Sequence, residues 1–327
     1  MPSMENRTVL EAIKEESIRA NYNLALAKII EKVYKESINI QDNKLTNGLI
    51  PVFHIMEKVE SSNEEEVVFD CSSVKFSSPV FAISMLLYLR SCSKRYRITN
   101  LSAYLKTIMF DDVLTPDAMS KEDFESILGN YEKKTFIPIV SFPASERLAK
   151  NKDAILSAVE EILCRQVNIP GNIVSGLKYI LGEMVDNITE HSDSERGFIF
   201  AQAYPGKRFL DICIADEGIT LRGSYLKAGI EIEDDLEAMK AANKCISSKN
   251  LPDAENRGYG IKTTKNMLSV GLGGQYMIMS GNAIGLKSQT IDGIIQLPRG
   301  IRWNGTVIAL RIPYQEKNSF KVCDYLE

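Results

Sequence analysis

The spacing of apolar positions changes several times along the chain, and each change marks an element. Residues 7 to 38 repeat apolar side chains at helical spacing with no Gly or Pro, which predicts a long helix. Residues 39 to 50 are polar and turn-like. The runs "LIPVFHIME" and "EEVVFDCSSV" read as strands separated by the charged turn "KVESSNEE". In "SPVFAISMLLYLRSC" the apolar character is continuous, and Ser78 followed by Pro79 marks the start of a buried helix. "YRITNLS" predicts another strand, and "SAYLKTIMFDDVL" a short helix with its exit. This alternation of strand and helix predicts an α/β layered structure.

A polar stretch over residues 115 to 134 leads into the short strand "FIPIVSFPAS", which places a domain boundary near residue 132. The expected units are 1–132 and 133–327. Helices are predicted over about 145 to 165 and 172 to 191, divided by "NIPGN". A hairpin follows, "GFIFAQAY" and "FLDICIAD" joined by "PGKR". Residues 217 to 257 read as a charged, loop-rich segment with one helix, "DDLEAMKAANKC". "GIKTTKNMLSV" predicts a helix behind the turn "NRGYG", and the strands "GGQYMIMS", "AIGLKS" and "GTVIALRIP" close the chain.

Composition narrows the function classes. At 327 residues the chain is long enough for two cores. A net charge of −4 argues against nucleic acid as the main partner, since a phosphate-backbone binder needs a basic face. The six cysteines contain no C-x-x-C pair and several sit in apolar runs, so buried reduced thiols and a cytosolic location are expected. His54 and His191 are too far apart in sequence to suggest a zinc site, and His54 reads as a packed strand residue. The longest apolar run, "VFAISMLLYL", is too short to span a bilayer, so no membrane role is expected.

Chemistry concentrates in "EMVDNITEHS", residues 183 to 192. On a helix Glu183, Asn187 and His191 form one polar stripe, while Leu181, Met184, Val185 and Ile188 form a packing face. A carboxylate and an amide oxygen one turn apart suit a hydrated Mg²⁺ and an activated water; they also suit a solvated helix face. "ICIADEGIT" puts Asp216 at the end of an apolar strand, where a buried carboxylate needs a partner such as an amine, and Gly218 permits close approach. "NRGYGIKTT" sets Gly258 and Gly260 before a helix carrying Lys262 and Thr263, a turn able to offer N–H groups to phosphate oxygens. No Walker A pattern is present.

In this order the segments resemble the GHKL ATPase superfamily, whose members share the Bergerat fold, over residues 134 to 315. "EMVDNITEH" is similar to its N box, "DEGIT" and "RGYGIKTT" to its two glycine boxes, "GGQYMIMSGN" to its Gly-Gly strand, and "NGTVIALRIP" to its closing strand. "FPASERLAKNKDAILSAVEEIL" resembles the anti-sigma serine-kinase branch. The resemblance implies a two-layer α/β sandwich that binds ATP and Mg²⁺. Glu183 would be the general base, Asn187 the Mg²⁺ ligand and Asp216 the reader of the adenine amine, helped by Thr306. Gly218, Gly258 and Gly260 would shape the pocket, Lys262 and Thr263 would face phosphate, and residues 219 to 257 would form a lid. Thr220 stands where the family's first glycine box carries a second glycine.

The stretch "VVFDCSSVKFSSPVFAISMLLYLRSCSKRYRITNLSAYLKTIMF" resembles a STAS domain over about residues 48 to 115. Signalling STAS domains are phosphorylated on a serine at the start of the helix, where this chain has Pro79 preceded by Ser77 and Ser78. The expected protein is a STAS-like α/β domain fused to a GHKL domain, with a regulatory protein partner or a homodimer. Its activity would be slow ATP hydrolysis coupled to conformational change. The alternatives are a serine/threonine kinase of the anti-sigma type and a non-catalytic ATP sensor.

Overall fold

The computed structural model describes residues 45–72, 74–144, 149–244, 260–298, 300–315 and 319–326. The helix expected over residues 7 to 38 lies outside them, as does Gly258. The architecture is mixed α/β, with a large antiparallel sheet and a small parallel one.

The described chain opens with helix α1 (Leu49–Ser61), where a strand was expected. The buried positions Leu49, Val52, Phe53, Met56 and Val59 recur at helical spacing, and Pro51 falls in the first turn, where its missing N–H does no harm. His54 is therefore a half-buried helix residue, not a strand residue. Strand β1 (Glu66–Asp70), helix α2 (Pro79–Ser91) and strand β2 (Arg95–Thr99) form one crossover unit, with β1 and β2 parallel from Glu66↔Arg95 to Asp70↔Thr99. Ser78 caps α2 by accepting the Phe81 N–H, with Pro79 next to it, as the sequence suggested. Helix α3 (Ala103–Thr107) follows, and then α4 (Lys121–Gly129), capped by Ser120, in a stretch that sequence pattern left as a polar connection.

The main sheet has seven strands in the order β3 (Val140–Pro143), β4 (Arg196–Tyr204), β5 (Phe209–Asp216), β9 (Trp303–Pro313), β6 (Gln275–Gly281), β7 (Ala283–Lys287) and β8 (Asp292–Gln296). All neighbours are antiparallel. Strand β8 was not expected. Helices α5 (Ala149–Val167) and α6 (Gly171–His191) pack against β3, β4, β5 and β9, and α2 packs against β4, β5 and β9 as well. Helix α2 packs on strands that α6 also touches, and its Arg90 lies over Phe198, on the face opposite Asp216. This explains its sequence. Residues 79, 80 and 82 to 89 are all buried, because α2 is covered by α1 on one side and the large sheet on another. One hydrophobic core cluster runs from Leu45 to Phe320 and continues across residue 132.

After β5 the chain forms two helices where one was expected: α7 (Leu221–Lys227) and α8 (Asp235–Asn243). They enclose a small core of Tyr225, Ala238 and Ala241, and α8 lies against β6, β7 and β8. Helix α9 (Gly260–Asn266) runs into a π-helical turn, Met267–Leu272, that ends at Gly273 with φ of 76°. Among the described residues no helix is long and apolar enough to cross a membrane.

Candidate functional site

Helix α6 packs through Leu181, Met184, Val185 and Ile188, all buried, which turns Glu183 and Asn187 toward the opposite, half-buried side. Asn187 Nδ2 donates to the Glu183 carbonyl at 2.7 Å, so the amide oxygen points away from the helix backbone. Gly260, the first residue of α9, lies against this pair. A Cβ built on it would stand 2.2 Å from Glu183 Oε2 and 3.9 Å from Asn187 Nδ2. Only glycine allows α9 to approach the carboxylate this closely.

Tyr179 joins the two helices. Its hydroxyl interacts with Glu183 and with Thr263 of α9. Burial, and then the neighbouring Glu183 charge, push the phenol up to about 12, so it remains a donor to the carboxylate. Sequence reasoning missed Tyr179. It precedes Glu183 by four residues, so the helical repeat that linked Glu183 to Asn187 would have found it if carried one turn back. Thr263 is buried at this junction, and Lys262 beside it is half-buried.

Asp216 ends β5 and is 1% exposed. Its Oδ1 accepts the Gly218 N–H at 2.8 Å, and the Thr306 backbone N–H donates to the carboxylate as well. Burial outweighs these two donors and pushes the acid up to about 7. Gly305, at φ of 71°, brings β9 over this carboxylate; a Cβ there would lie 2.7 Å from Asp216 Oδ1. Thr306 Oγ1 is 3.2 Å from Ser280 Oγ of β6, and Ser280 also donates to the Gly305 carbonyl at 2.9 Å. The end of β5 thus carries a buried polar cluster built from three adjacent strands.

The turn after Asp216 is fastened to the end of α6. The Ile219 N–H donates to the Ser192 carbonyl at 2.6 Å, and a Cβ on Gly218 would fall 1.9 Å from that same oxygen. Thr220 has extended backbone and caps α7, its hydroxyl accepting the Gly223 N–H at 3.1 Å. Thr220 therefore has a local use: an N-cap needs a side-chain oxygen, which glycine lacks.

The structure brings Glu183, Asn187, Gly260 and Thr263 together at one end of this stretch of α6, and Asp216, Gly218 and Thr306 together at the other. His191 ends α6, half-buried. Asp186 points to the side and pairs with Lys152 of α5 at 2.5 Å. The serines considered as phosphoacceptors are poorly placed. Ser77 is 3% exposed and the Ser78 hydroxyl is engaged in capping α2. Of the cysteines, Cys71 and Cys213 are buried free thiols, whereas Cys323 is exposed, contrary to the expectation of general burial. Among the described residues no group of three or more His, Cys, Asp or Glu side chains could hold a metal. Comparison with protein-family models gives no match, and neither curated proteins nor solved structures match the chain.

Proposed function

We propose that this protein binds Mg·ATP in the manner of the GHKL superfamily and hydrolyses it slowly, using the change to alter contacts with a regulatory partner or a second copy. The observation that carries the reading is the convergence of Glu183, Asn187 and Gly260, with the buried Asp216 carboxylate at the end of β5, whose following turn is bonded to Ser192 at the end of α6. From Glu183 to Ser192 the helix spans about 13 Å at its usual rise, on the scale of an extended nucleoside triphosphate.

Each residue then has a distinct task. Asp216 accepts the exocyclic amine of the base, a further donor for a carboxylate that burial leaves under-compensated. Thr306 and Ser280 offer hydroxyls beside it. Asn187 presents its amide oxygen to Mg²⁺, which would neutralise phosphate charge when bound. Glu183, held by Tyr179, takes the proton of the attacking water. Gly260 keeps α9 close enough for Thr263 to share that network. On this reading the large sheet with its helices is a Bergerat fold, and residues 48 to 115 are a STAS-like module without an accessible acceptor serine.

The test combines binding and turnover. Glu183→Gln should bind Mg·ATP within about twofold of wild type and lose phosphate release by about 10² or more. Asn187→Ala should lose the Mg²⁺-dependent part of ATP affinity, measured with Mg²⁺ and with EDTA. Wild-type turnover in Glu183→Gln would move the base elsewhere. Phosphoprotein instead of released phosphate would point to the kinase reading, and bound intact ATP to the sensor.

A further inference from the structure

Two arginine–carboxylate pairs tie the N-terminal part of the chain to the strand ends that carry Asp216. Arg90, in the last turn of α2, reaches Glu217 through both arms of its guanidinium: Nη2 lies 3.1 Å from Oε2, and Nε bonds Oε1. Glu217 sits between Asp216 and Gly218. The Arg90 guanidinium also stacks over Phe198, 5.2 Å from the ring centroid. Phe198 pairs with Ala215, next to the Gly197↔Asp216 pair. By the alternation of a strand, Phe198 and Asp216 therefore point to opposite faces. The arginine works from the face opposite the site and grips the residue that follows the buried carboxylate.

The second pair lies beside the first. Arg196, at the start of β4, holds Asp117 through Nη1 at 3.1 Å and Nη2 at 2.7 Å, and Nη1 is 3.3 Å from Ser141 Oγ. Arg196 holds the Asp117 carboxyl below its ordinary range, so the pair stays charged at neutral pH.

We propose that Arg90 is a positioning residue for the base-reading carboxylate Asp216, acting through Glu217, so that the N-terminal module sets the nucleotide affinity of the site. The inference rests on the nucleotide reading given above. The Gly218 N–H donates to Asp216 Oδ1, so the placement of Glu217 fixes where that donor points. The same turn is bonded to Ser192 at the end of α6 and leads into α7. Helix α2 is buried on nearly every side and cannot shift its last turn freely. Coupling of this kind is reciprocal: whatever moves α2 changes affinity for the nucleotide, and nucleotide binding biases α2. The side chains of Arg90 and Glu217 are 44% and 30% exposed, which keeps the coupling modest. A two-armed, ring-stacked pair supports an effect of about threefold to tenfold on affinity.

The experiment measures ATP affinity by calorimetry for wild type, Arg90→Ala, Arg90→Lys, Glu217→Gln and the double variant Arg90→Ala with Glu217→Gln. Hydrogen exchange of the Gly218 amide is followed in the same set without nucleotide. Each single neutralising change should weaken ATP by about threefold to tenfold, and the double should be no weaker than the worse single. Arg90→Lys should fall between wild type and Arg90→Ala, since one ammonium replaces a two-armed fork. The Gly218 amide should exchange faster in Arg90→Ala. Equal ATP affinity in wild type and Arg90→Ala, additive losses in the double, or unchanged Gly218 exchange would each overturn the positioning role while leaving nucleotide binding intact. A wild type that binds no ATP would instead overturn the nucleotide reading, and this inference with it.

Discussion

Replacing Asp216 by Asn should change how stability depends on pH more than it changes the fold. The Asp216 carboxyl is pushed from its ordinary 3.8 to about 7 in the folded protein, chiefly by burial. A shift of about three units at about 1.4 kcal/mol each corresponds to about 4 kcal/mol. The folded state holds the proton more tightly than the unfolded chain. The stabilisation is therefore fully present below pH 3.8 and lost as pH rises through about 7. Asn has the same shape and no proton to lose. The difference in unfolding free energy, variant minus wild type, should rise by about 4 kcal/mol between pH 4 and pH 8. Other titrating groups, including the buried Asp211 paired with Arg311, are common to both proteins and cancel. The chain has one tryptophan, Trp303, which is buried at the start of β9, so its fluorescence reports urea unfolding directly. A difference that stays constant within about 1 kcal/mol over that range would refute the assignment of Asp216 as a carboxyl stranded by burial.

Two glycines should respond to the same substitution in opposite ways. Gly218→Ala drives a Cβ to 1.9 Å from the Ser192 backbone carbonyl, which cannot move aside, so a loss of about 1–3 kcal/mol in chemical unfolding is expected. Gly260→Ala meets only the end of the Glu183 side chain at 2.2 Å, so stability should hold within about 1 kcal/mol while ATP turnover falls by about 10². Tyr179→Phe removes the hydroxyl shared by Glu183 and Thr263; ATP affinity should stay within about twofold and phosphate release should drop about tenfold, and unchanged release would show that Tyr179 does not hold the base.

The placement of the candidate residues was more legible than that of their surroundings because they follow one helical repeat and two strand ends. Glu183 and Asn187 were legible from a four-residue spacing, and Asp216 from an apolar run that stops abruptly. Tyr179 hid because an aromatic in an apolar helix reads as packing. The strand expected over "LIPVFHIME" failed for a specific reason. Taken as a block its apolar run fits a strand, whereas Leu49, Val52, Phe53 and Met56 carry a helical period. Helix α4 was hidden by its charge, although Ser120 and Asp123 form a cap that accepts and returns a hydrogen bond. What no local pattern could show is that α2 would cover the far side of the large sheet. Continuous apolarity announces burial without naming the partner. Likewise, the pairing of Arg90 with Glu217 joins residues 127 positions apart, and only the folded chain brings them together.

The place of β9 has a consequence for how the protein is made. The strand is the last in sequence of the nine among the described residues, yet it sits between β5 and β6 at the middle of the large sheet. A ribosome delivers β3, β4 and β5 first, and then β6, β7 and β8, as two antiparallel half-sheets. Each keeps an open edge until residues 303 to 313 emerge and are laid between them. A nascent chain arrested short of Trp303 would therefore expose two sticky borders at once. Such truncated products should depend heavily on chaperones, whereas the finished chain seals both borders with a single strand.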